Sequence, residues 1–81
     1  MHCVYILKSE KDRGIYIGKT NDLDRRLAEH NGGRVNSTKP RRPLILLEYI
    51  KCETEMEARI LEKECKKGYK REEIKRKHNL I

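Results

Sequence analysis

Six polar side chains in this 81-residue chain have the types and spacing to act on a phosphate ester: Tyr5, Tyr16, Lys19, Arg26, His30 and Glu62. An arginine and a lysine supply fixed positive charge for phosphate oxygens, and the arginine adds a planar fork of donors. A glutamate can hold a divalent cation through oxygen. Tyrosine and histidine can move a proton. Each residue also has a plainer account. Tyrosines in strands are commonly amphipathic core residues. Glu62 and Lys66 stand four apart, in the order that favours a surface ion pair. Arg26 could neutralise Asp22, and His30 could cap the end of its own helix. Periodicity alone leaves these alternatives open.

Such groups need elements to position them. Residues 2–8, HCVYILK, are β-branched and aromatic and predict a strand. SEKDRG follows as a turn, with Gly14 closing a hairpin. Residues 15–19, IYIGK, predict a second strand. Alternation places Val4, Ile6, Ile15 and Ile17 on one face, and Cys3, Tyr5, Leu7, Tyr16 and Gly18 on the other. A symmetrical loop sets position 5 opposite position 16. NDLDRRLAEHNGG predicts a short helix with Asn21 as N-cap, Asp22 and Asp24 in the first turn, and Gly32 or Gly33 at its end. Leu23 and Leu27 form its buried stripe, with Arg26 and His30 at the edge of the core.

Residues 32–43 form a polar loop. The apolar run LILLEYIKC, residues 44–52, predicts a third strand, central or well covered. Thr54 and Glu57 make a capping box that opens a helix through about Lys67. Ala58, Leu61 and Cys65 share one side of it with Glu62 at the margin, and Met56 and Ile60 lie opposite, so covering on two sides is expected. Gly68 ends that helix, and YKREEIKRKHNLI follows as a short basic helix or tail. The order β-β-α-β-α-α predicts an α+β fold: a small, three-stranded, mostly antiparallel sheet with flanking helices. One domain is expected over residues 1–81, with its core in 3–67 and a basic C-terminal segment in 68–81.

A net charge of +7 favours polyanionic partners, nucleic acid first among them. The candidates for phosphate contact are Arg25, Arg34, Lys39, Arg41, Arg42 and the segment Lys66 to Lys77, which includes Lys67, Lys70 and Arg71. Seven of the twelve residues in that segment are basic, enough for a salt-sensitive footprint. A solvated helix partly offset by Glu72 and Glu73 is the alternative. Cys3, Cys52 and Cys65 are odd in number and lack Cys-x-x-Cys spacing, which predicts free thiols in a reducing compartment. Scattered His2, His30 and His78 argue against a zinc site. The longest apolar runs, Val4 to Leu7 and Leu44 to Leu47, are far too short to span a membrane. A soluble, cytoplasmic protein is expected.

The order of the letters is more specific than any single feature. CVYILKSEKDRGIYIGKTNDLDRRLAEHN resembles the GIY-YIG nuclease superfamily. In that family one tyrosine closes a Gly-Ile-Tyr-like triplet and a second opens a Tyr-Ile-Gly triplet. An arginine on the next helix and a glutamate on a later helix complete the site. Here ten residues separate Tyr5 from Tyr16, and Tyr16-Ile17-Gly18-Lys19 is similar to the second motif. Arg26 falls where the helix arginine belongs, and His30 at a position commonly His or Tyr. EARILEKECKK is similar to the late helix, with Glu62 as its metal-binding glutamate. The first motif departs from the family pattern, reading Cys3-Val4-Tyr5, while the literal Gly14-Ile15-Tyr16 belongs to the turn and second strand.

The resemblance implies a Mg²⁺-dependent DNA endonuclease that hydrolyses phosphodiester bonds with a single Mg²⁺ or Mn²⁺ at Glu62, in DNA repair, recombination or processing. Arg26 and Lys19 would take the phosphate charge. Tyr5 or Tyr16, assisted by His30, would take the proton of the attacking water, with Arg26, Lys19 and the metal lowering a tyrosine pKa of about 10. No base-reading element is evident, so branched or damaged DNA is the expected substrate and a protein partner the expected source of specificity. A catalytically inactive nucleic-acid-binding or protein-interaction module on the same fold is the alternative.

Overall fold

The first apolar run becomes the centre of the sheet. In the computed structural model, which describes all 81 residues, β1 (His2–Ser9) is flanked by β2 (Ile15–Thr20) and β3 (Leu44–Cys52), in the order β2-β1-β3. Both pairings are antiparallel. β1 is covered on both faces, so Cys3 through Leu7 are all buried and show no polar alternation. On one face Val4, Ile6, Ile15 and Ile17 pack with Ala58 and Cys65 of α2 (Glu55–Cys65) and Ile74 of α3 (Gly68–Lys77). On the other, Tyr5, Leu7 and Leu44 pack with Leu23 and Leu27 of α1 (Leu23–Asn31). Burying each large aliphatic side chain stabilises the fold by about 1.5–3 kcal/mol. The fold is α+β, with a three-stranded antiparallel sheet, as the sequence predicted.

β3 is an edge strand, neither central nor fully covered: Ile45, Tyr49 and Ile50 are exposed. A bulge opposite Ile6 and Leu7 explains the unbroken LILL run. There Ile6 pairs with Glu48 and Leu7 with Leu46, which leaves Leu47 as the extra residue. Leu44 and Leu46 therefore join the α1 side, and Leu47 turns to the α2 side. The outer face of α2 is also uncovered, with Met56 55% and Ile60 62% exposed.

Several local boundaries also differ from expectation. Asp22, not Asn21, caps α1, its carboxylate accepting from the Arg25 N–H at 3.1 Å. Gly32 ends α1 as expected. Gly14 does not take the left-handed turn position; Arg13 does, with φ 63°. Thr54 caps α2, but Glu57 reaches back to the Glu53 N–H at 3.2 Å rather than to that of Thr54. α2 stops at Cys65, and Gly68 opens α3. α3 is tied to the sheet by Lys77 and His78, each donating to Glu48 at 3.0 Å. All three cysteines are free. No helix is long and apolar enough to cross a membrane.

Candidate active site

Strand alternation and helix periodicity meet at Tyr5. Its central strand and its α1-facing direction leave it only 1% exposed. On α1 the spacing 23, 27, 30 extends the leucine stripe to His30, which is 0% exposed rather than placed at the core edge. His30 Nε2 lies 2.8 Å from Tyr5 Oη. Its Nδ1 lies 2.8 Å from Oγ1 of Thr38, itself fully buried. Thr38 Oγ1 is 3.4 Å from the Val35 carbonyl oxygen.

A carbonyl only accepts, so the chain of hydrogen bonds has one direction. Thr38 donates to Val35, the His30 Nδ1–H donates to Thr38, and the Tyr5 hydroxyl donates to Nε2. Arg26 Nε–H donates to Tyr5 Oη from the other side at 3.4 Å, while its Nη1 pairs with Glu29 at 3.1 Å. Arg26 thus engages Glu29 rather than Asp22, and His30 caps nothing.

Burial, then the charge of Arg26, holds the His30 pKa below the ordinary imidazole range, so the ring is neutral at pH 7. Burial also pushes the Tyr5 hydroxyl up, outweighing the hydrogen bond from Arg26 that would lower it. Among the protein's own groups, burial thus outweighs the neighbouring cations at Tyr5.

The hairpin register sets the remaining geometry. Tyr5 pairs with Gly18 and Tyr16 with Leu7, so the two tyrosines are not directly opposite. The pairing is centred between Lys11 and Asp12, one residue later than a symmetrical 5–16 pairing requires. That moves partners by two residues and so keeps both tyrosines on one face. Their ring centroids lie 6.4 Å apart, and Tyr16 sits edge-on to His30 at 5.0 Å. A Cβ added at Gly18 would stand 2.5 Å from Tyr5 Oη and 3.1 Å from Tyr16 Cε2. Only glycine fits against the two rings.

Beside this cluster opens a cavity of about 290 Å³, bordered by Lys19 of β2, Arg25 and Arg26 of α1, and Glu55 and Ala58 of α2. Three cations thus converge at one mouth. Glu62 lies one turn beyond Ala58, 20% exposed in its side chain, with Lys66 Nζ at 3.6 Å. Its charge is felt at the Tyr5 hydroxyl. The structure therefore gathers Tyr5, Tyr16, Arg26 and His30 around Gly18, with Lys19 beside Arg26 at the cavity and Glu62 at the margin.

The other basic candidates scatter. Arg25 shares the cavity, whereas Arg41 is spent on Asp12 at 2.7 Å. Lys39 and Arg42 border a different groove, at the opposite end of α1. Arg34 is exposed just beyond α1. Lys66 and Lys67 pair with Glu62 and Glu64, Lys70 lies beside Glu48 and Glu73, and Arg71 reaches the Ile15 carbonyl at 3.5 Å. Sequence reasoning missed Thr38. It precedes a Lys-Pro turn and reads as one loop hydroxyl among several, and nothing local marks it as a partner for a histidine eight residues earlier.

Comparison with known proteins gives a consistent result. The model of the GIY-YIG catalytic domain matches residues 1–78. A UPF0213 protein of Listeria welshimeri is 47% identical over 58 residues, covering 70% of this chain and 63% of that protein. A UPF0213 protein of Staphylococcus haemolyticus is 36% identical over 75 residues, covering 91% of this chain and 90% of the relative. The structure-specific endonuclease subunit slx1 of Schizosaccharomyces japonicus is 49% identical over 47 residues, 52% of this chain but only 17% of that subunit. The solution NMR structure of a UPF0213 protein from Bacillus halodurans superposes with a TM-score of 0.57 at 34% identity, covering 90% of this chain and 80% of the other. With the match running through all three strands and all three helices, the chain belongs to the GIY-YIG catalytic domain family, a family of nucleases.

Proposed function

We propose that this protein is a metal-dependent DNA endonuclease in which Tyr5 activates water through His30. The observation that carries the reading is the buried hydrogen-bonded series Tyr5 Oη–His30–Thr38 Oγ1, each link 2.8 Å. Water attacks phosphorus and gives its proton to Tyr5 Oη as the tyrosyl proton passes to His30 Nε2. The P–O bond to the leaving oxygen breaks, and that oxygen is protonated from solvent. Tyr5 never needs to persist as phenolate, which suits its raised pKa. The imidazolium formed keeps its Nδ1–H bond to Thr38. Arg26 and Lys19 hold the phosphate oxygens, the first by its fork and the second as a point charge.

The residues fit a hard divalent cation. No three His, Cys, Asp or Glu side chains converge in the protein, so a cation at Glu62 would take one carboxylate and otherwise water, as Mg²⁺ tolerates. The carboxylate is only loosely met by Lys66 at 3.6 Å, which leaves its oxygens available. Mg²⁺ or Mn²⁺ bound there would supply Lewis-acid stabilisation of the phosphate charge. Branched or damaged DNA, met during repair, recombination or processing, is the proposed substrate, with a protein partner lending specificity.

The test is incubation of the protein with supercoiled plasmid, branched DNA and single-stranded DNA, in Mg²⁺, in Mn²⁺ and in EDTA. Metal-dependent nicking of at least one substrate is expected; no cleavage under any condition overturns the reading. Thr38 offers a finer check as a positioning residue. Thr38→Val should lower kcat about 10- to 100-fold at nearly unchanged KM, the range found for outer-shell partners of functional histidines. The ¹⁵N spectrum of His30 should lose its single neutral tautomer, and Thr38→Ser should restore both. A Val variant with wild-type kcat and tautomer removes Thr38 from the mechanism.

A further inference from the structure

The far end of α1 holds a second cationic groove. Its volume is about 520 Å³, and Lys11, Asn31, Lys39 and Arg42 border it together with Pro40 and Pro43. No carboxylate lines it. The two acidic neighbours of Lys11 are both engaged: Asp12 is taken by Arg41 at 2.7 Å, which holds its carboxyl down at about 2, and Glu10 pairs with Lys8 at 3.1 Å.

The walls of this groove are built rather than loose. Ser9, fully buried, accepts from the Lys11 and Asp12 N–H groups at 3.1 Å and donates to the Arg41 carbonyl at 2.6 Å. That triple contact binds the Lys11 turn to the Lys39–Arg42 loop. Asn31 clamps the start of β3, donating to the Leu44 carbonyl at 3.0 Å and accepting the Leu44 N–H at 2.8 Å. The Arg42 Nε–H is fixed on the Lys39 carbonyl at 2.9 Å. Its guanidinium lies against Gly33, where an added Cβ would come within 2.8 Å of Nη1 and where φ is +78°. The guanidinium nitrogens beyond Nε make no hydrogen bond within the protein.

We propose that this groove is a second phosphate site, which grips the backbone of the nucleic acid whose scissile bond lies at Arg26. The inference rests on the function proposed above and adds a place to it. Arg25 borders the first cavity and Asn31 the second, so the two lie toward opposite ends of α1. A nucleic acid lying along α1 would meet Arg26 with one phosphate and the Lys11–Lys39–Arg42 groove with another farther along its backbone. Lys11 acquires a role here that no motif assigned to it.

The experiment is binding of a fluorescent 20-base-pair duplex in EDTA across a salt series. It compares the wild type with K11A/K39A/R42A and with a charge-matched control, K51A/R59A/K63A. A double variant, K11A/K39A, leaves Arg42 and its loop contacts in place should the triple variant fold poorly. Loss of one or two phosphate contacts should flatten the slope of log K against log salt by about 0.9 for each, in the groove variants only. Equal slopes in groove and control variants, or no change in the groove variants, overturn the second site. If the wild type nicks DNA in Mg²⁺ while the groove variants bind with its slope, the nuclease reading stands and only this inference falls. If the wild type neither binds duplex nor cleaves plasmid, branched or single-stranded DNA, both fall.

Discussion

Arg26→Ala is expected to lower the DNA-nicking rate by about 10²–10³-fold while leaving the fold in place, the range for removing one preorganised charge stabiliser. The guanidinium does two jobs in the proposed site. Its Nε–H steadies the Tyr5 oxygen from the side opposite His30, and its fork faces the cavity shared with Lys19 and Arg25. The side chain is a third exposed and pairs only with Glu29 and Tyr5, so truncation opens no core cavity. Arg26→Lys keeps the charge and loses the fork, and should fall between wild type and alanine. Glu62→Gln gives the complementary result. It keeps the volume and removes the charge, so nicking should be lost and saturation by Mg²⁺ abolished, with circular dichroism unchanged. Wild-type nicking by either Arg26→Ala or Glu62→Gln would take that residue out of the site.

Gly18→Ala is expected to cost both stability and activity. The new methyl would need to occupy space 2.5 Å from Tyr5 Oη and 2.6 Å from Cζ, far inside van der Waals contact. Tyr5 cannot swing aside cheaply, because it is buried and bonded to His30 at 2.8 Å. Overpacking of this kind costs about 1–3 kcal/mol, which in a domain of this size lowers Tm by roughly 5–20 °C. Nicking should fall further than stability explains, since the displaced group is the proposed base itself. Thermal melts beside single-turnover rates, at a temperature where the variant is fully folded, separate the two effects. A variant that melts and nicks like wild type would show that the rings yield to the methyl at no cost.

The sequence was legible where a local rule had no competitor. Two faces of alternation fixed which side chains of β1 and β2 look the same way, and the resulting grouping of Tyr5, Tyr16 and Gly18 is the one observed. The limits of β3, residues 44–52, also follow from its apolar run. The register was less legible, because it depends on which turn residue accepts a left-handed conformation. Arg13 takes it although a glycine follows immediately. The position of β3 at the edge could not be read from composition, since its bulge scrambles the alternation that would have marked an exposed face. His30 was half legible: periodicity placed it beside the Leu23–Leu27 stripe at the core edge, but only the long-range approach of Thr38 explains why a histidine is tolerated in full burial. The basic residues were the least legible. The spacing of Glu62 and Lys66 pointed to their ion pair, but the pairing of Arg41 with Asp12 depends on the fold.

The hairpin register has a consequence for how such a site can change. Cross-strand partners in β1 and β2 keep a constant sum of residue numbers, and it is this register that sets Tyr5 against Gly18. Letters can therefore be added to that turn without disturbing the tyrosine geometry only where the new turn returns β2 to the same register. The same turn carries Lys11 and is anchored through Ser9 and Asp12 to the loop before β3. Remodelling it would retune the grip on the distant strand while leaving the chemistry untouched. The spacer between the two motifs is thus an adjustable handle on a fixed blade.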